Sequence, residues 1–516
     1  MNNTEKTFKN SIIAVISQVI ALLLQFVNRK IFIIFLSIEY LGYQTLFSNI
    51  FTLLSVAELG IGNIITFHLY KEIVQDNKRE IGKLMYLYKW LYRLVAGIVC
   101  ILGIICSIFI PFMVKDATAS LSYLRIVYFM QLMSVVLGYF LSYKRVIYIA
   151  TQQEYKCVQI DLYVNIVLQC VQLLLLAIFR NYLLYLFIQL SITIVANIII
   201  AIKSNRDFPY LKNKFTITKA DIEKRNLITD TGNFLVHQVS YAIYGGTDNI
   251  IISAFCGVRY VALYGNYILV QKGVMQVLFY KLLNPIQATI GNIIYAERSK
   301  EELWKQFKLL DVFSFIFASF IGLGFFTFYQ PFIQMWMGKK YLLDFSFVII
   351  FSIYIYFGAV FEIVYKYRCV FGDYKQDRLF MVVSAVLNIL ISIPGAIYYG
   401  VSGVILGTVV AYIPIALGRI RFVVKNYFGQ SMMHFILHHM TLFMVVVVEA
   451  GVIYLLTCKL QVNVIGFILR ILVWLIIPSI GAIIVFRRNE YFIRLLGIGK
   501  RMIQKILNKI LKREEK

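Results

Sequence analysis

Basic and amide side chains interrupt otherwise apolar stretches of this sequence. Arg29 and Lys30 lie within the first such stretch, residues 11–36, and Lys272 lies within a later one. A charge at membrane depth is costly and usually faces a water-filled cavity or a partner. Because Arg binds phosphate oxygens through paired hydrogen bonds and Lys binds them as a point charge, these three residues predict a binding site for an anion. The amide side chains that we expect to line the same cavity are Gln18, Gln25, Asn49 and Asn266.

The position of Arg29 and Lys30 allows a second interpretation. If the first span ended near Val27, the two cations would extend to the membrane surface instead. Residues 31–36 are again wholly apolar, and a span needs about 20 residues. The sequence therefore favours a helix that continues through the two cations and holds them inside the membrane.

Two acidic residues within apolar stretches, Glu58 and Asp248, are candidates for a gate or for ion coupling. Asp248 stands in the seventh span at the place that Arg29 occupies in the first. We therefore expect an ion pair between Arg29 and Asp248. Such a pair would either hold two halves of the protein in register or act in transport, and the sequence leaves both roles open.

The elements that must position these residues are membrane helices. The chain has 516 residues, of which 60% are hydrophobic, and its mean hydropathy is +0.76. Apolar runs long enough to span a bilayer recur from end to end, so we predict an all-α polytopic membrane protein with about 14 spans. The first six are 11–36, 43–69, 90–112, 121–149, 157–179 and 182–202. The next six are 228–255, 258–286, 306–328, 343–368, 376–398 and 401–423, and a last pair is 434–457 and 463–486.

This pattern predicts two lobes of six helices each. The N-terminal lobe covers residues 1–202, a cytoplasmic linker covers 203–227, and the C-terminal lobe covers 228–423. Helices 13 and 14 fall within 424–486, and residues 487–516 form a basic amphipathic helix on the anionic cytoplasmic leaflet.

The two lobes resemble copies of one another. Four dipeptides recur at corresponding places on their helices, and each second copy follows the first by 220 to 223 residues. An even number of helices returns the chain to the same side, so the copies are parallel. Such repeats place a substrate site between the halves and allow alternating access. The pairs are Gln18-Val19 with Gln238-Val239, Pro111-Phe112 with Pro331-Phe332, Tyr143-Lys144 with Tyr365-Lys366, and Asn165-Ile166 with Asn388-Ile389.

The net charge of +25 reflects topology rather than nucleic-acid binding. Most of the 51 Lys and Arg residues fall in the N-terminus, in every second loop and in the C-terminal tail. By the positive-inside rule, both termini lie in the cytoplasm. The basic excess favours membrane lipids as partners and gives no reason to expect nucleic acid.

The sequence has no motif for a cofactor or a metal. Gly497 and Gly499 precede Lys500 but lack the rest of a phosphate-binding loop, and the seven cysteines are scattered. His434 and His438 share a helix face without the Glu of a zinc motif. We therefore expect no cofactor, no metal and no enzymatic activity.

Several segments carry a family resemblance. They are YLG at 40–42, LSVAELGIGN at 54–63, LYK at 69–71, TDNIIIS at 247–253, LYGNY at 263–267 and GVILGT at 403–408. Together they resemble the bacterial polysaccharide-biosynthesis flippases of the multidrug/oligosaccharidyl-lipid/polysaccharide exporter superfamily. The resemblance implies 14 helices in two six-helix lobes plus a terminal pair. It also implies transfer of undecaprenyl-pyrophosphate-linked oligosaccharide to the outer leaflet of the bacterial cell membrane, for lipopolysaccharide or capsule assembly.

The resemblance extends to one residue and to partners. In related lipid II flippases the cavity cations include an Arg in helix 1, to which Arg29 corresponds by position. Partners implied are the lipid-linked oligosaccharide and the polymerase and glycosyltransferases of the same pathway. Alternatives are a cation-coupled multidrug exporter of the same superfamily, a membrane-embedded polymerase or glycosyltransferase, and a scramblase or channel. The basic residues in helices 1 and 8 oppose the first alternative, and the short outward loops oppose the second.

Overall fold

The structure is a computed structural model in which every regular element of the described chain is helical. It describes residues 3–213, 215, 239–240, 242–295, 299–371 and 374–514. Within these ranges it leaves out the side chains of residues 3–15, 57–64, 67, 277–278, 280–282, 284–285, 288, 295, 374–377, 502–503 and 505–514. The described part contains nine helices long and apolar enough to cross a membrane, or ten if one bent pair counts as a span. The predicted all-α, polytopic membrane class is confirmed.

This count is lower than the predicted total of about 14 spans because it includes only helices of at least 18 residues. Three helices assigned to predicted spans have only 17 residues, and the segment Tyr374–Ile420 contains two predicted spans that are separated by one non-helical residue, Gly400. Of the predicted seventh span, 228–255, residues 228–238 and 241 lie outside the described residues, and so do residues 214 and 216–227 of the predicted cytoplasmic linker, 203–227.

Contacts divide the chain into two compact units. Unit 1 comprises Met1–Val277 and Met381–Gly407, and unit 2 comprises Leu278–Phe380 and Thr408–Lys516. These units follow contacts rather than the proposed repeat, so the division into two six-helix lobes stays a prediction.

Unit 1 begins with α1, the helix that carries Arg29 and Lys30. Helix α1 runs without interruption through Arg29 and Lys30, so the two residues do not mark the end of the helix, and the candidate span Ile16–Phe35 includes both of them. The following helices are α1 Asn3–Phe35, α2 Ile38–Leu54, α3 Glu58–Val74, α4 Lys78–Ser107, α5 Ile110–Met113, α6 Leu121–Ser142, α7 Arg145–Ala150, α8 Tyr155–Phe179 and α9 Tyr182–Asp207. The remaining part contains a short helix, α10 Asp248–Ile251, and a helix of 17 residues, α11 Val258–Val274.

Two predicted spans are broken. The second, 43–69, is divided by a 3-10 turn at Ser55–Ala57, and the fourth, 121–149, is divided at Tyr143 and Lys144. The gap between the first two predicted spans, 37–42, is also shorter in the structure, because α2 already begins at Ile38. Hydropathy averages over such breaks, since one polar residue, Ser55 or Lys144, changes the mean of a long apolar run only slightly.

Unit 2 contains a single helix of 37 residues, Lys300–Trp336. Its helices are α12 Tyr280–Tyr295, α13 Lys300–Trp336, α14 Phe345–Val360, α15 Glu362–Phe371, α16 Tyr374–Ile420, α17 Met432–Thr457, α18 Val464–Phe486 and α19 Glu490–Glu514. Residues 381–407 of α16 belong to unit 1. Helices α14 and α15 bend by 42°, and α13 packs against α14, α17 and α18.

Helix α16 contains two predicted spans joined at one residue. Gly400 has φ 58° and ψ −140°, a conformation outside the helical region. Only glycine adopts it without strain, because a Cβ would clash with the backbone. The gap between the predicted spans 376–398 and 401–423 is therefore a turn at a single residue, Gly400.

The predicted tail helix is present as α19. Ile493 and Leu496 expose more than half of their side chains, while Phe492 is buried against Phe486. An exposed apolar pair on a helix rich in Lys and Arg is typical of a helix that lies on an anionic membrane surface.

Candidate functional site

A cavity of about 540 Å³ lies within unit 1. It is walled by α1, α2, α8, α9 and α11, with one residue from α10. These helices enclose a space because α1 packs on α8, α8 on α9 and α2 on α11. The lining residues are Gln25, Asn28, Arg29, Phe32, Leu41, Gln44, Thr45, Ser48, Asn49, Asn165, Gln169, Gln172, Tyr185, Gln189, Ile192, Thr193, Asn249, Gly265, Ile268, Leu269 and Lys272.

The composition of this wall is unusual for a membrane protein. Nine of the lining residues carry a carboxamide, four carry a hydroxyl and two are cations. No carboxylate is among the described residues that line it. The cavity is therefore polar, positively charged and set among apolar helices, where charge interactions are stronger than in water.

Arg29 is held in place by α11. Its Nε donates a hydrogen bond to Oδ1 of Asn266 over 2.5 Å, and its Nη2 donates to the carbonyl oxygen of Ala262 over 3.0 Å. A Cβ at Gly265 would lie only 2.6 Å from Nη2. The guanidinium therefore occupies space that exists because residue 265 is glycine, and the two bonds orient it in the cavity wall.

Lys272 supplies the second cation from the same face of α11 as Gly265. The two residues are seven apart, close to two helical turns, so they share a face together with Ile268 and Leu269. The ammonium is exposed within the described structure. A flexible point charge on α11 thus lies about two turns from Gly265, the residue of α11 against which the guanidinium of Arg29, from α1, packs.

The carboxamides form pairs across helices. Gln44 Nε2 donates to Oε1 of Gln189 over 2.8 Å, and the hydroxyl of Tyr185 donates to Oδ1 of Asn28 over 3.1 Å. Gln172 Nε2 donates to the carbonyl oxygen of Tyr185 over 2.9 Å. These bonds fix the amides on the wall while leaving further donors and acceptors for a ligand.

Some buried polar atoms of the site have no hydrogen-bond partner among the residues the structure describes. They are Oε1 of Gln169, Oδ1 of Asn249 and, behind Arg29, Nδ2 of Asn266. Buried polar groups are nearly always paired with protein or water. Once its side chain turns toward the cavity, an acceptor of this kind can pair with a hydroxyl donor of a ligand.

The residues predicted from sequence are distributed in three ways. Arg29, Lys272, Gln25 and Asn49 line the cavity. Asn266 is fully buried behind Arg29 and holds it.

The other two predicted ligands lie elsewhere. Lys30 is exposed and does not line the cavity. Gln18 donates a hydrogen bond of 2.5 Å to Gln276 and is likewise not among the lining residues.

The expected ion pair between Arg29 and Asp248 is wrong. Asn266 and the carbonyl of Ala262 take the guanidinium instead, whereas Asp248 is buried and accepts a hydrogen bond of 3.4 Å from the hydroxyl of Tyr264. The correspondence between helices 1 and 7 does not determine which side each residue faces.

The side chain of Glu58, the other proposed gate, lies outside the described residues, and its backbone begins α3.

Most of the carboxamide residues that line the cavity were not identified from the sequence. Asn165, Gln169 and Gln172 recur at helical spacing on α8, and Tyr185 and Gln189 do so on α9. Residues four and seven apart lie on one face of a helix, so a search for polar stripes on apolar helices would have found them.

Comparison with known proteins agrees with this architecture. A family model described as polysaccharide biosynthesis protein matches residues 7–280. No curated protein sequence matches the chain significantly.

Solved structures share the fold. The lipid II flippase MurJ, in an inward closed conformation, has a TM-score of 0.68 and 17% identity over 93% of this chain and 98% of its own. An inward-facing MATE family multidrug resistance transporter of the MOP superfamily has a TM-score of 0.58 and 14% identity over 78% of this chain and 94% of its own. A mutant of the Vibrio cholerae MATE transporter VcmN has a TM-score of 0.54 and 14% identity over 83% of this chain and 99% of its own.

At such identities the structural likeness establishes the fold alone. The family model carries more, because its match covers more than half of the 516 residues. This chain belongs to the polysaccharide biosynthesis protein family.

Proposed function

We propose that this protein is a flippase, not an enzyme, and that it moves undecaprenyl-pyrophosphate-linked oligosaccharide units by alternating access. The units would pass from the cytoplasmic to the outer leaflet of the bacterial inner membrane for surface polysaccharide assembly. The observation that carries this proposal is the cavity in unit 1, with two cations, nine carboxamides and no carboxylate among its described lining residues.

The cations suit the pyrophosphate. Arg29 is pinned by two hydrogen bonds, so its remaining N–H groups are oriented before a ligand arrives. An Arg held in this way loses less side-chain entropy on binding phosphate oxygens. Lys272 can adjust to the second phosphate. Each charge-assisted hydrogen bond contributes about 1.5–3 kcal/mol.

The amides and hydroxyls suit the sugars. Gln44, Gln189 and Tyr185 present donors and acceptors on the wall, and Gln169 and Asn249 have buried acceptor oxygens without a described partner. Each sugar hydroxyl both donates and accepts hydrogen bonds. The polyprenyl tail stays in the bilayer, because a cavity with so few apolar lining residues offers it nothing.

The remaining predicted residues take secondary places in this proposal. Lys30 and Gln18 do not line the cavity, and their role as substrate ligands stays a prediction. Asp248 and Glu58 stay candidates for a gate or for ion coupling. The buried carboxyl of Asp248 adjoins Thr247, whose hydroxyl donates to Asn388 over 2.9 Å.

The charge of the cavity argues against the rival exporter. A multidrug exporter of organic cations needs acidic lining residues, since a cation near Arg29 and Lys272 would be repelled. A polymerase or glycosyltransferase partner of the same pathway would instead act on the glycan after or before transfer.

The proposal is tested in proteoliposomes. A fluorescent polyprenyl-pyrophosphate sugar is placed in one leaflet, and its appearance in the other is followed by quenching, with and without an ion gradient. Arg29→Ala should reduce transfer at least tenfold, because it removes a charge that contacts the diphosphate. Lys272→Ala should reduce it by a smaller factor.

The matched control is Arg79→Ala, which removes the same side chain from an exposed position on α4. It should transfer at the wild-type rate. Wild-type transfer by folded Arg29→Ala protein would refute the site. Efflux of a lipophilic cation such as ethidium, with no transfer of the lipid, would favour the exporter.

A further inference from the structure

A second, smaller pocket lies in unit 1 at the end that the charge pattern assigns to the cytoplasm. Its volume is about 120 Å³, and none of its lining residues contributes to the larger cavity. We call it the lysine pocket. Its lining residues are Met85, Tyr86, Lys89, Tyr143, Lys144, Leu211, Lys212 and Asn213.

Three local structures bring the lysines together. Lys89 follows Met85 by one turn on α4. Lys144 stands at the break between α6 and α7, and Lys212 ends a 3-10 turn, Pro209–Lys212, that packs against α4 and α9. The break in the predicted fourth span therefore has a consequence, since it directs Lys144 into the pocket rather than along a helix surface.

Lys144 is the buried member of the set. Its side chain is 8% exposed, and its Nζ donates a hydrogen bond to Oδ1 of Asn205. An ammonium has three donors, so this bond leaves two of them. Burying an ammonium without a counter-charge is costly.

Nearby carboxylates are already engaged by other cations. Asp161 forms a two-pronged pair with Arg145, with distances of 2.6 and 2.8 Å. Asp207 lies 2.7 Å from Nζ of Lys156 and accepts a further hydrogen bond from Tyr148. No carboxylate is among the described lining residues of the lysine pocket.

Three lysines in so small a space repel one another, and the burial of one of them adds a desolvation cost. An anion with several acceptor oxygens offsets both costs at once. The hydroxyls of Tyr86 and Tyr143 and the amide of Asn213 add donors of the kind that bind phosphate.

We propose that the lysine pocket binds a phosphoryl anion, separate from the large cavity and independent of the function proposed for it. The phosphoryl group comes either from the headgroup of an anionic lipid in the cytoplasmic leaflet or from free phosphate or pyrophosphate. The volume of the lysine pocket, about 120 Å³, fits a phosphoryl group and excludes an oligosaccharide.

The test uses the full chain carrying Arg29→Ala, so that a probe bound in the large cavity does not interfere. Inorganic pyrophosphate is titrated calorimetrically into protein in phosphatidylcholine nanodiscs. In parallel, native mass spectrometry counts phosphatidylglycerol molecules retained from mixed nanodiscs. The first measurement reports free anion, and the second reports lipid headgroup.

Lys144→Gln is expected to weaken pyrophosphate binding at least tenfold, or to abolish retention of one lipid, because it removes a charge-assisted hydrogen bond. The double variant Lys89→Gln/Lys212→Gln should do the same, and it keeps the test informative if Lys144→Gln does not fold. Lys78→Gln removes one charge from an exposed position on the same helix, α4, and should change neither reading.

The result that overturns the proposal is equal behaviour. If the pocket variants and Lys78→Gln bind pyrophosphate and retain lipid alike, the lysines serve only as part of a basic surface. Because Arg29 is absent throughout, this failure would leave the flippase proposal standing.

Discussion

Replacing Gly265 by Ala tests whether the orientation of Arg29, and not its charge alone, matters for transfer. The added Cβ would lie 2.6 Å from Nη2 of Arg29, whereas ordinary contacts between heavy atoms are about 3.5–4.0 Å. The guanidinium must therefore retreat by about 1 Å. Such a shift takes Nη2 out of hydrogen-bonding distance of the carbonyl of Ala262, now at 3.0 Å.

The fold should survive this change, because the displaced atom is the free end of a long side chain. Ala also favours a helix over Gly by about 1 kcal/mol, which offsets part of the lost hydrogen bond, so the thermal unfolding midpoint in detergent should fall only slightly. A displaced guanidinium also loses about one hydrogen bond to the diphosphate, which corresponds to about 1.5–3 kcal/mol. We therefore expect transfer of the fluorescent lipid-linked sugar to fall roughly 10- to 100-fold.

Gly97→Ala is the matched control. Gly97 lies on α4 in the same unit, and a Cβ there meets nothing within 4 Å. Its transfer rate should equal that of the wild type. The reasoning is refuted if folded Gly265→Ala protein transfers at the wild-type rate, or if Gly97→Ala is impaired to the same degree.

Three further predictions concern stability, measured by thermal unfolding in detergent. Arg470→Met should lower the midpoint clearly, because the guanidinium donates to four carbonyl oxygens around the end of α17, and leaving buried carbonyls unpaired costs about 1–3 kcal/mol each. Arg470→Lys should recover part of the loss. An unchanged midpoint in Arg470→Met would contradict a stabilising role for these four hydrogen bonds. Gly400→Ala should lower the free energy of unfolding by about 1–3 kcal/mol, since the backbone conformation at this position suits only glycine. A midpoint equal to that of the wild type would argue against a strained turn at this residue. Trp474→Phe should cost about 1 kcal/mol through loss of the 2.8 Å hydrogen bond from Nε1 to the carbonyl of Phe320, and a larger effect of Trp474→Phe than of Arg470→Met would reverse the expected order.

The fold class follows from the sequence because hydropathy is an average over many residues. Apolar runs of about 20 residues permit only membrane helices. Breaks are a different matter. The 3-10 turn at Ser55–Ala57 and the interruption at Tyr143 and Lys144 involve two or three residues each, and they are decided by tertiary packing that no local average contains.

The candidate site could be predicted in part. Arg29 and Lys272 stand out because a charge inside a membrane span is costly and needs a reason. Lys30 carries the same cost but points elsewhere, since consecutive residues of a helix differ by about 100° in direction. The pairing of Arg29 with Asn266 could not be derived from sequence, because it depends on how α11 is turned against α1.

The carboxamide residues that line the cavity are harder to predict than the two cations. A single Gln or Asn in a span costs far less than a charge, so Gln44 and Gln189 draw no attention one at a time. Their significance comes from convergence, which the sequence displays only as a faint polar stripe on each helix.

That convergence bears on how selective the protein can be towards its cargo. A carboxamide presents a donor on one side and an acceptor on the other, and a half-turn of the group exchanges them. A surface tiled with such reversible groups, like the facing pair Gln44 and Gln189, adapts to axial and equatorial hydroxyls alike. We expect recognition to be strict for the diphosphate and permissive for the stereochemistry of the glycan, so one such carrier could serve chemically varied repeat units.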